Sequence, residues 1–365
     1  MTANIKINKA LLPLAWIYGA GVEFRNKLFD WKIFPVEEFA IPVISIGNLA
    51  VGGTGKTPHT EYLIRLLSKK YKVAMLSRGY KRKTKGFVLA DENASAQSIG
   101  DEPYQMYRKF PNILVAVDAN RRRGIRNLLN LSQKPEVILL DDAFQHRWVK
   151  PSLSILLTDS RRPFDEDFLL PAGRLRELPK NAQRADMLIF TKCDKTCYCE
   201  LEPQSAEKPA YCTSYQYKGL LPVFPENNPV KKDNMERLQK ESYSFVLVAG
   251  LANPSDLINY LGGYTTDLYS LVYSDHHDFS RKNMEEITET FRRIKNKHKI
   301  IITSEKDAVR LVGNPFIPEE LKRFIYYIPI EVVFRDNQEE LFIQKIDNHV
   351  TNFARNRSLA QTSNT

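Results

Sequence analysis

Apolar residues in this chain gather into short runs, and most runs are followed by a stretch with helical spacing. Ile41–Ile46 (IPVISI) leads through a glycine-rich turn into PHTEYLIRLLSKK, where Leu63, Leu66 and Leu67 recur on one face and lysines close the helix. YKVAMLS, NILVAV, EVILLDD, LSILLTD and DMLIFTK are further continuous runs, suited to strands covered on both faces. DEPYQMYRKF fits a short helix capped by Asp101 with Pro103 in its first turn, and NRRRGIRNLLNL fits a basic helix. The alternation over residues 41–194 predicts an α/β fold with a doubly wound, mostly parallel sheet. From 195 to 242 the pattern lapses into Lys, Glu, Pro and Asn, which reads as a connection. It resumes with YSFVLVAG, PSDLINYL, LYSLVYS, a polar helix around Arg281–Lys297 and KIIITS, a second, smaller α/β domain. The expected divisions are 1–35 for an N-terminal helical region, 36–200 and 201–335 for the two domains, and 336–365 for a C-terminal helix whose polar end, from Asn356, is expected to be disordered.

The N-terminal region departs from the alternation. Ala10–Val22 (ALLPLAWIYGAGV) has no charge and is flanked by Lys6, Lys9, Arg25 and Lys27; Phe24, Leu28, Phe29 and Trp31 follow among charges. Thirteen uncharged residues fall short of the roughly 20 that span a bilayer. Such a segment suits an amphipathic helix in a membrane interface or a buried core helix, and the residues alone leave both open. The net charge of +10, from 53 Lys+Arg against 43 Asp+Glu, fits an anionic partner without selecting nucleic acid, lipid surface or phosphorylated substrate. The four cysteines, Cys193, Cys197, Cys199 and Cys212, lack zinc-site spacing and read as reduced thiols.

The chemistry concentrates after the first strand. Ala50, Val51, Gly52, Gly53, Thr54, Gly55, Lys56 and Thr57 form a candidate nucleotide-binding run, with Asn48 just ahead of it. Glycines let backbone N–H groups turn onto phosphate oxygens, Lys56 would reach the β- and γ-phosphates, and Thr57 would hold Mg²⁺. The usual loop begins with Gly where this chain has Ala50. Asp141 and Asp142 end a buried strand, where a Walker-B pair would meet Mg²⁺, and Gln145 and His146 follow within a turn. Asp101 and Glu102 follow Gly100; on residues alone, capping is the better role for Asp101, with a general base or metal ligand as the alternative. In YSDHHDFS, Asp275 and Asp278 flank His276 and His277, a pairing that would orient an imidazole or form a solvated loop. Basic candidates for anionic substrate are Arg78, Arg121, Arg122, Arg123, Arg174 and Arg176; an arginine run is more often a solvated helix face. FTKCD (Thr191, Lys192, Asp194) is a weak, Asn-less version of a guanine-reading element.

Taken in order, SIGNLAVGGTGKTPHTEYL, LSRGYKR, GDEPYQM, DANRRRG, LLDDAFQHR, LLPAGRLRE, DHHDF and TSEKDAVRL resemble one family, the tetraacyldisaccharide 4'-kinases that phosphorylate the lipid A precursor of Gram-negative bacteria. The resemblance spans about residues 10–330. It implies ATP and Mg²⁺ as cofactors, a membrane-embedded lipid A precursor as substrate, and a peripheral, monotopic enzyme on the cytoplasmic face of the inner membrane, with no nucleic-acid partner. It implies Lys56 and Thr57 for phosphate and Mg²⁺, Asp141 and Asp142 for the Walker-B pair, Asp101 as base with Glu102 beside the metal, and His276 as partner of Asp101. Asn48, Arg78, Arg121, Gln145, His146, Arg174 and Arg176 become site-lining residues, and domain closure on substrate is expected. The family carries a small polar residue at the position of Ala50, so the missing glycine is close to the family's own loop. The resemblance also favours the interfacial over the core reading of residues 10–34. The rivals are another P-loop kinase, a GTPase-like metallochaperone, or a basic nucleic-acid-binding ATPase.

Overall fold

A computed structural model describes residues 8–193, 208–228 and 233–362. The chain divides into two compact units: residues 1–93, 106–215 and 332–365 form the first, and residues 94–105 and 216–331 the second.

The strands are β1 Val43–Asn48, β2 Val73–Ser77, β3 Val88–Leu89, β4 Leu114–Val117, β5 Val137–Asp141, β6 Leu153–Asp159, β7 Met187–Thr191, β8 Ala210–Tyr217, β9 Leu221–Pro222, β10 Ser244–Ala249, β11 Leu268–Val272, β12 Lys299–Ser304, β13 Ile325–Ile328 and β14 Ile330–Phe334. The helices are α1 Leu12–Asp30, α2 Lys56–Leu67, α3 Ala96–Ile99, α4 Asp101–Lys109, α5 Arg121–Leu129, α6 Met235–Lys240, α7 Ser255–Gly262, α8 Arg281–Arg293, α9 Glu305–Val312, α10 Glu319–Lys322 and α11 Gln338–Thr362.

One sheet has the order β14-β8-β7-β6-β1-β5-β2-β4-β3. Its pairs from β8 to β4 are parallel and β3 joins antiparallel. Every residue of β1, β2 and β5 is buried, as continuous apolar runs between helical layers require. Ile46 pairs with Asp141, so the loop after β1 and the acids after β5 leave neighbouring strand ends. In open α/β sheets that end is where ligands bind. The second sheet, β11-β10-β12-β13-β9, is parallel apart from β9. Helix α8 closes it with Met284, Ile287 and Phe291 on one face, each contributing about 1.5–3 kcal/mol by burial. A reciprocal Ser280–Asn283 capping box fixes its start.

Helix α1 inverts the usual arrangement. It turns small or polar residues inward (Ala15, Gly19 and Asn26, joined by Phe29) and leaves Trp16 and Ile17 each 70% exposed, with Leu14 and Phe24 also outward. A Cβ on Gly19 would stand 2.5 Å from Leu169 Cδ1, so glycine permits this close approach. Phe29 packs edge-on against Phe34 and Trp148, with ring centroids 5.1 and 4.9 Å away. No described helix is long and apolar enough to cross a membrane.

Five expectations are corrected. The segment read as a connection contains β8, a strand of the first sheet, and β9 and α6 of the second unit. Its mixed polar sequence AYCTSYQY hides a strand that is buried only in part. The compact units are discontinuous where four consecutive divisions were expected, because residues 94–105 group with 216–331 and the chain returns to the first unit at Val332. Helix α8 stops at Arg293, short of Lys297, and α11 runs to Thr362 through residues expected to be disordered. Among the cysteines, Cys193 is buried and its thiol donates to Phe190 O at 3.4 Å, whereas Cys212 is disulfide-bonded, against the expectation of reduced thiols; Cys197, Cys199 and Asp194 lie outside the described residues.

Candidate active site

In the first unit the loop between β1 and α2 is shaped by backbone. Gly52 and Gly55 take φ of +106° and +87°, the left-handed region that L side chains disfavour. At Gly55 space demands glycine as well, since an added Cβ would lie 1.7 Å from the Tyr215 hydroxyl. Asn48, fully buried at the end of β1, organises the loop from below: its Nδ2 donates to Ala50 O and Thr54 Oγ1, both at 2.6 Å, and its Oδ1 accepts from Lys56 Nζ at 3.2 Å. Thr191 Oγ1 donates to Thr54 O at 3.0 Å. Buried His59 spans Gly55 O at 2.7 Å and Thr213 Oγ1 at 3.0 Å. With Nδ1–H donating to the carbonyl, Nε2 is the acceptor for the threonine. Burial pulls this imidazole down to about 4, against the opposing hydrogen bond to Gly55.

Ala50 belongs to a different surface. Its side chain packs with Ala15, Leu49, Leu169 and Leu175. Its backbone pairs with Leu175, while Val51 N donates to Arg174 O at 2.8 Å and Arg176 N to Leu49 O at 2.7 Å. The strip 174–176 therefore lies along the nucleotide loop.

That strip brings Arg176 to Asp142. Arg176 Nη1 donates to Asp142 Oδ1 at 3.0 Å and to Gln145 Oε1 at 3.2 Å, Lys56 Nζ stands 3.7 Å from Asp142, and Gln145 Nε2 donates to Asn48 O at 2.9 Å. Asp142 has a left-handed φ of 45°. Burial works to raise its carboxyl, and Lys56 and Arg176 outweigh it and hold the group below its usual range. Asp141 points elsewhere, accepting from Ser77 Oγ at 3.3 Å and Thr60 Oγ1 at 3.4 Å. Arg174 is held by Asp167, with Nε 3.3 Å from the carboxylate, and Arg78 is exposed.

The arginine run separates by position. Arg121 is buried, donating to Asp118 O at 2.9 Å and Asp141 O at 3.3 Å, whereas Arg123 lies outside and pairs with Asp118. Burial lowers Arg121 to about 10, with Asp141 and Asp142 opposing the fall. His146 falls to about 4 through burial first and then Arg121 and its neighbours.

Thr57, Asp141 and Asp142 offer hard oxygen donors of the kind Mg²⁺ takes. No group of three His, Cys, Asp or Glu forms a metal cage among the described residues. Mg²⁺ seldom needs one, since one or two carboxylates with substrate phosphates and waters complete its shell. The donor set fits.

In the second unit Asp101 is not a helix cap. It is the first residue of α4, after Gly100 in left-handed conformation, and its side chain is spent on other partners. His276 Nδ1 lies 3.1 Å from Asp101 Oδ2 and Arg310 Nε donates to the same oxygen at 3.0 Å. Burial would raise this carboxyl; the bonds from His276 and Arg310 prevail and hold it at about 2. His276 takes a left-handed φ of 57°, a strained position for a β-carbon-bearing residue, and its ring is shielded by these partners. Glu102 stands 3.7 Å from Lys306. His277 turns away to Asn283 Oδ1 at 3.0 Å and stacks on Tyr273. In FTKCD, Lys192 pairs with Asp159 at 2.7 Å.

A strand–loop–helix with a Gly-Lys-Thr end, a carboxylate beside that lysine and a separately held acid define a P-loop phosphotransferase. The model of the LpxK family, tetraacyldisaccharide-1-P 4'-kinase, matches residues 7–351, and the chain belongs to that family. The tetraacyldisaccharide 4'-kinase of Bacteroides thetaiotaomicron is 48% identical over 374 residues, covering 99% of this chain and 98% of its own. That of Phocaeicola vulgatus is 50% identical, covering 98% and 99%. LpxK from Aquifex aeolicus, solved in complex with ATP, is similar with a TM-score of 0.71 at 31% identity, covering 93% of this chain and 98% of its own. These likenesses do not favour another P-loop kinase or a metallochaperone.

Proposed function

We propose that this chain transfers the γ-phosphoryl group of ATP to the 4'-hydroxyl of a tetraacyldisaccharide 1-phosphate, forming lipid IVA in lipid A biosynthesis. The observation that carries the reading is the meeting of Lys56 and Arg176 on Asp142 beside a glycine loop. Two cations held by one carboxylate at a strand end are set to receive phosphate charge, and phosphoryl transfer depends on positioning and charge stabilisation more than on covalent chemistry. Loop N–H groups, Lys56 and Arg176 would hold the β- and γ-phosphates. Thr57 and Asp142, with Asp141 behind, would hold Mg²⁺, which when bound neutralises phosphate charge. Glu102 is a further candidate ligand. Asp101 would accept the proton as the sugar oxygen attacks the γ-phosphorus and the bond to the bridging oxygen breaks, releasing ADP. His276 would orient that carboxylate, and Arg78, Arg121, Arg174 and His146 would line the site.

Helix α1 supports a peripheral position on the membrane that holds the substrate, on its cytoplasmic face, where ATP is present. Its outward Trp16, Ile17 and Phe24 form an apolar strip of the kind that enters a bilayer interface.

Transfer of radioactive γ-phosphate to the lipid in mixed micelles tests the reaction. Asp101→Ala is expected to reduce kcat by about 10²–10⁴-fold, the range of a general base, while ATP still binds. Unchanged kcat would remove Asp101 from the role, and preference for soluble sugars would remove the lipid as substrate. Trp16→Glu/Ile17→Glu should abolish sedimentation with vesicles; retained sedimentation would place the anchor elsewhere.

A further inference from the structure

Helix α9 carries two cations and a buried acid that the scheme above leaves unused. Ser304 caps the helix, accepting from Asp307 N at 3.1 Å and donating to Asp307 Oδ2 at 2.6 Å. Asp307 is fully buried and also accepts from Gly250 N at 2.9 Å and Arg310 Nη1 at 3.2 Å. Arg310, three residues further on and so on the same face of the helix, has a side chain only 6% exposed. Its terminal Nη1 is therefore held by Asp307 while Nε and Nη2 reach Asp101.

The manner of that reach matters. An arginine and a carboxylate usually meet fork to fork, using both oxygens. Here Nε and Nη2 of Arg310 both donate to Asp101 Oδ2, and His276 Nδ1 faces the same atom. No described group bonds Oδ1. Arg310 Nη2 also passes 3.0 Å from His276 Nδ1, so carboxylate oxygen, ring and guanidinium form one close triangle. Lys306, four residues before Arg310, donates to His276 Nε2 at 2.9 Å and stands 3.1 Å from Asp275. A ring that accepts at Nε2 carries its proton on Nδ1, toward Oδ2.

We propose that Arg310 is a positioning residue for phosphoryl transfer: anchored through Asp307, it occupies Oδ2 of Asp101 and leaves Oδ1 as the one open acceptor for the substrate hydroxyl's proton. The inference rests on the reading of Asp101 as base. A carboxylate torsion is soft and roughly two-fold, so a lone aspartate would present either oxygen over a range of angles. Three donors on one oxygen fix which atom faces outward.

Steady-state kinetics on the full chain, with ATP and tetraacyldisaccharide 1-phosphate in mixed micelles, test it. Arg310→Met is expected to lower kcat about 100-fold, the scale of a misplaced catalytic group, with KM for ATP within about twofold of wild type. Arg310→Lys, which keeps a cation beside Asp307 and so guards against misfolding, should recover part of the loss, leaving kcat about 10-fold down. Adding Arg310→Met to Asp101→Ala should cost nothing more, since the atom it positions is gone. An undiminished kcat in Arg310→Met and Arg310→Lys, or an equal loss in the Asp101→Ala background, would overturn the positioning role while leaving Asp101 as base. Wild-type kcat in Asp101→Ala would instead overturn the base reading and this inference with it.

Discussion

The two polar clusters use opposite charge for the same end. In the first unit two cations, Lys56 and Arg176, converge on one carboxylate, Asp142. In the second, one carboxylate, Asp101, takes donors from His276 and Arg310 while Lys306 holds the far side of the ring. The first is a positive site with an anion in place, ready for more negative charge. The second is a negative atom held ionised by positive neighbours. The construction differs too. The nucleotide loop is contiguous chain shaped by glycine and by backbone bonds to Asn48, whereas the acid cluster assembles Asp101, His276 and helix α9 from three distant stretches. A backbone-built site tolerates change in its side chains unless they carry charge or fill space; a side-chain-built site depends on each member.

The largest effect should come from the cation with no substitute. Lys56→Met is expected to lower kcat about 10³-fold, roughly 4 kcal/mol of transition-state stabilisation. It should also raise KM for ATP, unlike Arg310→Met, because Lys56 would touch the nucleotide in ground and transition states alike. Equal KM for ATP in both variants would erase the distinction between the clusters.

The next effect belongs to stability and to the floor of the loop. His59 titrates near 4 in the folded protein and near 6.5 when unfolded. Between these values the unfolded chain binds more protons, so stability rises with pH across the window and is lost as pH falls from about 6.5 to about 4. The full shift amounts to about 3 kcal/mol. Thermal melts in EDTA should therefore show wild-type Tm falling through this window, with a shallower fall in His59→Gln; some slope remains because His146 is shifted the same way. Parallel profiles would mean that the ring under Gly55 is not held neutral by burial.

Asp142→Asn then separates placeholder from metal ligand. Removing the charge that Lys56 and Arg176 share should tighten metal-free ATP binding about 10-fold, or 1.4 kcal/mol, by titration in EDTA, and weaken turnover with Mg²⁺. Asp101→Asn should leave metal-free ATP binding unchanged. If Asp142→Asn weakens that binding instead, the carboxylate is not standing where phosphate charge would go.

How much of this was legible follows from the same contrast. The first sheet's strands are unbroken apolar runs, and the nucleotide loop is a contiguous pattern, so both could be read from residues. Strand β8 could not, because AYCTSYQY is polar in part and buried only in part. Asp101 reads as a cap because an acid after glycine at a helix start usually is one; only His276 and Arg310, 175 and 209 residues away, redirect its side chain. The i, i+4 spacing of Lys306 and Arg310 was present in TSEKDAVRL, but nothing local says which acid they face. Arg121 and Arg123 look alike in sequence and differ because one points to the sheet and the other to solvent.

The smallest effect concerns Ala50, where the usual loop has glycine. Its side chain lies in an apolar cluster with Ala15, Leu49, Leu169 and Leu175, while its backbone carbonyl is taken by Asn48 Nδ2. A hydroxyl there would enter an apolar environment and gain no phosphate. Ala50→Ser should therefore destabilise the protein by about 1 kcal/mol in urea unfolding and change KM for ATP by less than about twofold. The contact Ala50 does make reaches α1 through Ala15, so the substitution should be felt more by the docking of that helix than by the nucleotide. A fall in KM for ATP of tenfold would show that the position faces phosphate after all. The loop would then depend on a side chain where the backbone and Asn48 now account for its shape.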